Sequence, residues 1–224
     1  ENINNVLPRE IAVIGKELRD STKEFDSTLK TKIVPALRFS HLWENHLFEP
    51  SPKYFTIFFA MPYNWVESNE IFQALINNLD YLINNNFRII VKPHPTMNIK
   101  YVKNMIVSNH SNIFSLVDES FIDCLSKSNM VISGMSGAVI ESIVFGIPVV
   151  LLRNRRGITF NPIPKEIPQG IWTMCESSDE IIDLIQKYSS ISDEQLQDYK
   201  ELGKQVRENY FEPVTKESVY RFLK

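Results

Sequence analysis

The sequence predicts an α/β fold, a parallel sheet with helices on both faces, and two observations carry that expectation. From Tyr54 onward, short apolar runs read as strands and alternate with segments whose apolar residues recur at helical spacing. Such alternation implies crossover connections, and crossovers make neighbouring strands parallel. The second observation is the stretch Met130 to Leu152 (MVISGMSGAVIESIVFGIPVVLL), which condenses a whole β-turn-α-β unit into 23 residues. Its parts are a strand at Met130–Ile132, a small-residue turn at Ser133–Gly137, an apolar helix at Ala138–Phe145 stopped by Gly146, and a strand at Val149–Leu152. Glu141, Pro148 and three glycines argue against reading it as a membrane span.

In chain order, Ile11 to Gly15 (IAVIG) is a short apolar strand, and a polar segment rich in charge, Ser and Thr follows from Lys16 to Lys32. A lone strand needs neighbours. Residues 1–50 are therefore expected to be the end of a preceding domain plus a linker, with the rest of that sheet outside this sequence. His41 and His46 lie five residues apart, on different faces of a helix, which does not favour a shared metal. Pro50-Ser51-Pro52 marks the boundary, and residues 51–224 are expected to form the sheet domain. Its further strands are expected at Tyr54–Ala60, Phe87–Val91, Ile113–Leu116 and Gly170–Cys175. Its further helices are expected at Glu67–Asn84, Ile99–Ser108, Ser120–Lys127, Asp179–Tyr188 and Asp193–Asn209. The proline-rich run Asn161 to Pro168 (NPIPKEIP) cannot be regular structure and reads as a surface loop or a lid.

Composition sets the bounds. A chain of 224 residues, 43% hydrophobic, can bury the core of one domain with a tail. The net charge of -3 gives no sign of a nucleic-acid partner. Cys124 and Cys175 could form one disulfide at most, so reduced thiols in the cytoplasm are expected. No basic-then-apolar leader opens the sequence, and no internal repeat is found.

Open parallel sheets bind ligands beyond the carboxyl ends of their strands. Five loops should therefore converge: Met61–Asn64, Lys92–Thr96, Val117–Glu119, Ser133–Gly137 and Arg153–Gly157. At Ser133–Gly137, backbone N–H groups and the positive end of the helix dipole favour an anion such as phosphate. Gly134 and Gly137 allow close approach, and Ser136 can cap the helix or bind a phosphate oxygen. Glu141, the only charge between Lys127 and Arg153, leans back toward the amino end of its helix. Its carboxylate there suits a ribose diol, and a glutamate on a partly wetted helix face is the alternative.

In Lys92-Pro93-His94-Pro95 the prolines stiffen the turn and fix the imidazole, so His94 can donate to a phosphate oxygen or protonate a leaving phosphate. A rigid strand-ending turn is the alternative, and Lys92 could face either side. Arg153 opens a run of three arginines in four residues, suited to a diphosphate or simply to a solvated loop. Asp118, Glu119 and Asp123 read as helix-start charge, with no spacing that specifies a metal.

A strand-ending Lys-Pro-His-Pro followed by Ser-Gly-x-x-x-Glu and Gly-x-Pro resembles the carboxyl-terminal, donor-binding half of GT-B glycosyltransferases. It most resembles the bacterial surface and capsular polysaccharide group, including sialyltransferase-like and polyol-phosphate transferase enzymes. The resemblance runs from about Tyr54 to the end, and Pro35 to Phe39 resembles the linker of related proteins. It implies a Rossmann-like nucleotide-sugar-binding domain after an amino-terminal tail. It also implies His94 at the donor phosphate, Ser136 and Gly137 as phosphate binders, and Glu141 on the ribose; from the loop positions themselves, Lys92, Ser133, Gly134 and Arg153 are expected to complete the nucleotide-sugar set. The closing helices around Asn209 to Phe222 resemble elements that cross back to the other half.

Implied with it are a nucleotide-sugar donor, a carbohydrate or lipid-linked acceptor, no resident cofactor and no metal. The general base of that fold comes from an amino-terminal half, expected to lie outside this sequence, so the fragment alone should transfer nothing. A cytoplasmic location follows, with peripheral contact at the inner face of the plasma membrane left open. Adjacent serines, usual in the sialyltransferase type, are separated here as Ser133 and Ser136. The same motif occurs in non-hydrolysing UDP-N-acetylglucosamine 2-epimerases. That reaction, a CDP-glycerol-type polyol-phosphate transferase and a non-catalytic nucleotide-binding module are the alternatives.

Overall fold

The computed structural model describes residues 9–44, 48, 50, 53–107, 113–134, 136–153 and 161–223, and the chain divides into two compact units. The larger comprises residues 46–202, the smaller residues 1–45 together with 203–224. Residues 51–224 are expected as one domain from the sequence, whereas the last 22 residues group with the first 45.

In the smaller unit, β1 (Ile11–Val13) pairs in parallel with β2 (Thr31–Ile33), and α1 (Lys16–Phe25) connects them. This corrects two expectations. The polar segment after IAVIG is largely a helix, and the strand finds a neighbour inside the sequence. No residue of α1 is buried, and Leu18 and Phe25 are its only apolar residues, too few to mark a helix in so polar a segment. A 3₁₀ segment spans Leu37–Trp43, placing His41 on a tight turn; His46 lies outside the described residues. The closing segment is tied in by main-chain bonds: the Glu212 N–H donates to Ile14 O and the Ala36 N–H to Glu212 O. Phe39 packs against Phe211, with ring centroids 4.8 Å apart. Helix α9 (Lys216–Leu223) ends this unit.

In the larger unit the described strands are β3 (Phe55–Ala60), β4 (Phe87–Lys92), β5 (Phe114–Leu116), β6 (Met130–Ser133), β7 (Val149–Leu152) and β8 (Trp172–Cys175). All pair in parallel, in the order β5-β4-β3-β6-β7-β8. Counted from β3, that is the 3-2-1-4-5-6 order of a doubly wound sheet. The expected α/β sheet is therefore present.

Both faces are covered, which is why the central strands read as continuous apolar runs. Ile57, Phe59, Ile89, Val91, Met130, Ile132 and Val150 pack on one side with α2 (Trp65–Asn77), α3 (Leu79–Asn84), α4 (Ile99–Val107) and α7 (Ile181–Ser189). On the other side Phe58 meets Phe121 of α5 (Phe121–Ser126), ring centroids 5.2 Å apart, and α6 (Ala138–Val144) follows β6. Helix α8 (Asp193–Tyr210) begins in this unit and ends in the other.

The helix expected over Glu67–Asn84 is two, because Asn78 interrupts it and its side-chain amide donates to Ala74 O at 2.9 Å. Asn161–Pro168 does not read as a lid. Ile163 and Ile167 are buried, and the Trp172 indole N–H donates to Ile167 O at 3.1 Å. Cys124 and Cys175 are buried and not joined in a disulfide, and the Cys175 thiol donates to Leu151 O at 3.2 Å. Among the described residues no helix is long and apolar enough to cross a membrane.

Candidate functional site

Strand order fixes where a ligand would lie. The chain leaves β3 for β4 on one side and returns to β6 on the other, so the carboxyl ends of β3 and β6 flank the switch-point crevice. Because all six strands are parallel, the loops bearing Asn64, His94, Glu119, Ser136 and Arg153 share one rim. The β4 and β6 ends are two strand spacings apart, about 10 Å.

The Ser133–Gly137 corner has a closed half and an open half. Ser133 is fully buried, and its hydroxyl donates to Ala60 O at 2.7 Å, joining the tips of β6 and β3. A Cβ built on Gly134 would overlap Glu67 Oε2 and lie 2.9 Å from Pro62 Cγ. Gly134 is thus required by close packing. Gly137, by contrast, is exposed, and a Cβ there would meet nothing within 4 Å. Ser136 Oγ accepts from the Ala138 N–H at 3.3 Å, and Gly137 itself stands at the N-cap of α6. Glu141 is half-buried in the first turn of α6.

On the β4 side, Thr96 defines the state of His94. Its N–H donates to His94 Nδ1 at 3.3 Å and its hydroxyl lies 2.8 Å from the same nitrogen. With Nδ1 accepting, the neutral ring carries its proton on Nε2. The Tyr63 ring meets the imidazole edge-on, with centroids 5.8 Å apart.

Lys92 turns away, its ammonium donating to Glu119 O at 2.5 Å. Glu119 also accepts from Lys127 at 2.6 Å, so these charges brace the β5–α5 connection. Arg153 pairs with Glu176 at 2.7 Å across the ends of β7 and β8, where both side chains are solvent-exposed. Arg155 and Arg156 lie outside the described residues. Among the described residues no cluster of His, Cys, Asp or Glu is arranged to hold a metal ion.

Sequence reasoning missed the most buried acidic side chain on this rim. Glu67, 3% exposed, stands in the first turn of α2 and accepts from Asn64 Nδ2 at 3.1 Å, while Asn64 Oδ1 caps the helix by accepting from the Val66 N–H at 2.9 Å. Asn64 and Glu67 are three residues apart, the spacing of a cap and its partner, and that was the available signal. Glu67 also forms part of a cleft of about 930 Å³ between the amino ends of α2 and α4, with Tyr63, Asn64, Trp65, Thr96 and Tyr101.

No protein-family model matches the sequence, and no curated protein matches it. Solved structures do match, as folds. A putative UDP-N-acetylglucosamine 2-epimerase from Listeria monocytogenes aligns over 93% of this chain and 56% of its own, with TM-score 0.56 and 15% identity. A glycosyltransferase from Rickettsia africae aligns over 96% and 62%, with TM-score 0.58 and 12% identity. The accessory secretory protein 1, 2 and 3 structure from Streptococcus pneumoniae aligns over 96% and 41%, with TM-score 0.58 and 11% identity. The chain thus spans between 41% and 62% of these three. Their functions differ while the fold is held in common, so function must be read from the site. That common fold is the Rossmann-like parallel sheet of the GT-B class.

Proposed function

We propose that the chain is the donor-binding part of a glycosyltransferase that moves a sugar from a nucleotide-sugar to a surface polysaccharide or glycolipid acceptor. The observation that carries this reading is the rim itself: an Nε2–H imidazole on the β4 loop and an open Ser-Gly corner on the β6 loop, two strands apart at the switch point. A nucleotide diphosphate laid along the rim spans that gap. His94 Nε2–H donates to a phosphate oxygen and stabilises the charge that develops on the departing nucleotide. Ser136 and Gly137 offer a hydroxyl and close backbone approach. Glu141 takes the ribose diol, and Arg153 the outer phosphate charge.

Ser133, Gly134 and Lys92 support this set from behind. Their roles are the Ala60 link, the contact with Glu67 and Pro62, and the brace to Glu119. The acceptor's proton must go to a base, and in this reading the base and the rest of the acceptor site come from a further part of the protein. The 224 residues then bind nucleotide and transfer nothing alone. A cytoplasmic setting and chemistry with neither cofactor nor metal complete the proposal.

Calorimetry with CMP, CDP, UDP and GDP tests it. Binding of at least one, weakened about tenfold in His94→Ala, is expected for the loss of one charge-assisted hydrogen bond. Silence from all four overturns the donor site and leaves a scaffolding module. Interconversion of a UDP-sugar without added acceptor would make the protein an epimerase. A preference for cytidine, with turnover of CDP-glycerol, would make it a polyol-phosphate transferase.

A further inference from the structure

We propose that the cleft between the amino ends of α2 and α4 is a subsite for a pyranose ring of the acceptor saccharide, separate from the corner that takes the nucleotide. Its volume, about 930 Å³, falls within the range of small-molecule sites, roughly 300–1,000 Å³. Its walls are aromatic. Tyr63 is 74% and Tyr101 57% exposed, and Trp65 stands edge-on to Tyr101 with ring centroids 4.6 Å apart. Tyr63 and Tyr101 leave ring surface open to water in the cleft, and Trp65, partly buried against the core, backs Tyr101.

The remaining lining is neutral or acidic and rich in hydrogen-bonding groups. Asn98 Oδ1 accepts from the Lys100 N–H at 3.0 Å, so its amide group is oriented by the α4 turn. The Asn64 amide is fixed between Val66 and Glu67. No Lys or Arg is among the described lining residues, and the carboxylate of Glu67 is, so a phosphate is disfavoured here. A ligand with one apolar face and a rim of hydroxyls fits both halves of that surface. A pyranose has that form: axial C–H bonds lie against an aromatic ring while equatorial hydroxyls donate to carboxylate and amide oxygens.

Position supports the assignment. Glu67 lies against Gly134 at the tip of β6, and Tyr63 packs on the imidazole of His94. A sugar seated in the cleft would therefore adjoin the proposed phosphate site. The identification of that sugar as the acceptor rests on the glycosyl-transfer reading, whereas binding of the ring does not.

Saturation-transfer-difference NMR on the 224-residue chain, without nucleotide, tests the subsite. The probes are methyl glucoside, galactoside and mannoside, N,N′-diacetylchitobiose, and choline. The expected result is transfer to ring C–H protons of at least one saccharide. It should fall about fivefold in Tyr101→Ala and in Trp65→Ala, and persist in Tyr220→Ala, an exposed tyrosine of the smaller unit. Circular dichroism checks that each variant is folded. Absence of transfer to every saccharide, transfer unchanged in Tyr101→Ala, or displacement of the saccharide by choline would overturn the proposal. Nucleotide calorimetry reports separately on the donor site, so a chain that binds sugars and no nucleotide keeps this cleft and loses the transfer reading.

Discussion

Two glycines of one turn do opposite work, and substitutions separate them. Gly134 has no room for a side chain, since Glu67 Oε2 and the rigid Pro62 ring occupy the space. Gly134→Ala should cost about 1–3 kcal/mol, as small-to-large changes in packed sites do, and urea denaturation measures it. Gly137 has open space and a φ of -62°, which alanine adopts without strain. Gly137→Ala should leave stability unchanged or raise it by up to about 1 kcal/mol through the unfolded chain. If the backbone at Gly137 approaches a phosphate, the same variant loses nucleotide affinity while remaining folded. Equal losses of stability in both variants would contradict the division of the corner into a packed half and an open half. Thr96→Val probes the imidazole in the same way. It removes one of the two groups beside Nδ1 and should weaken nucleotide binding a few-fold, less than His94→Ala does.

At the scale of elements, the central β-turn-α-β unit is held by a helix stop as much as by its strands. The Ile147 N–H donates to Ser142 O at 3.0 Å and the Gly146 N–H to Ile143 O at 2.9 Å, a Schellman pair closing α6. Gly146 has φ +72°, and a Cβ there would lie 2.7 Å from Lys200 Cα. Gly146→Ala should therefore destabilise by at least about 1–2 kcal/mol from the left-handed conformation alone, visible as a lower urea midpoint. A midpoint equal to that of the parent chain would mean the turn relaxes freely. This unit was legible because its strands are buried on both faces and its glycines punctuate it. Helix α1 was not, since it buries nothing and Leu18 and Phe25, seven residues apart on one face, are its only apolar residues. The break at Asn78 was hidden because Ile71, Phe72, Leu75, Leu79 and Leu82 keep helical spacing across it. His94 and the Ser-Gly corner could be placed on one rim from strand alternation, but Glu67 against Gly134 joins residues 67 positions apart. No local pattern encodes such a contact.

Across the sheet-bearing unit as a whole, buried acids that stay protonated make stability fall at alkaline pH. The Tyr188 and Tyr199 hydroxyls both donate to Gly170 O, at 3.0 and 2.8 Å, and Thr173 Oγ1 lies 2.9 Å from the Tyr188 oxygen. Burial pushes Tyr188 up to about 12 and raises Tyr199, and burial pushes the Cys124 thiol up to about 11. In the unfolded chain these groups lose their protons near 8.5 to 10. Between about pH 9 and 12 the unfolded state therefore binds fewer protons than the native state, and stability declines as pH rises. The contribution is complete below the unfolded values and is lost as pH climbs through the native ones. Tyr188 accounts for on the order of 1 kcal/mol of that loss by pH 11. Urea midpoints at pH 8, 10 and 11 should fall in sequence, and Tyr188→Phe should show a shallower decline from a lower start. Because Tyr199 still bonds Gly170 O in that variant, the decline should lessen rather than vanish. A midpoint constant from pH 8 to 11, or an identical slope in the phenylalanine variant, would mean that these hydroxyls are exposed to water in the folded protein.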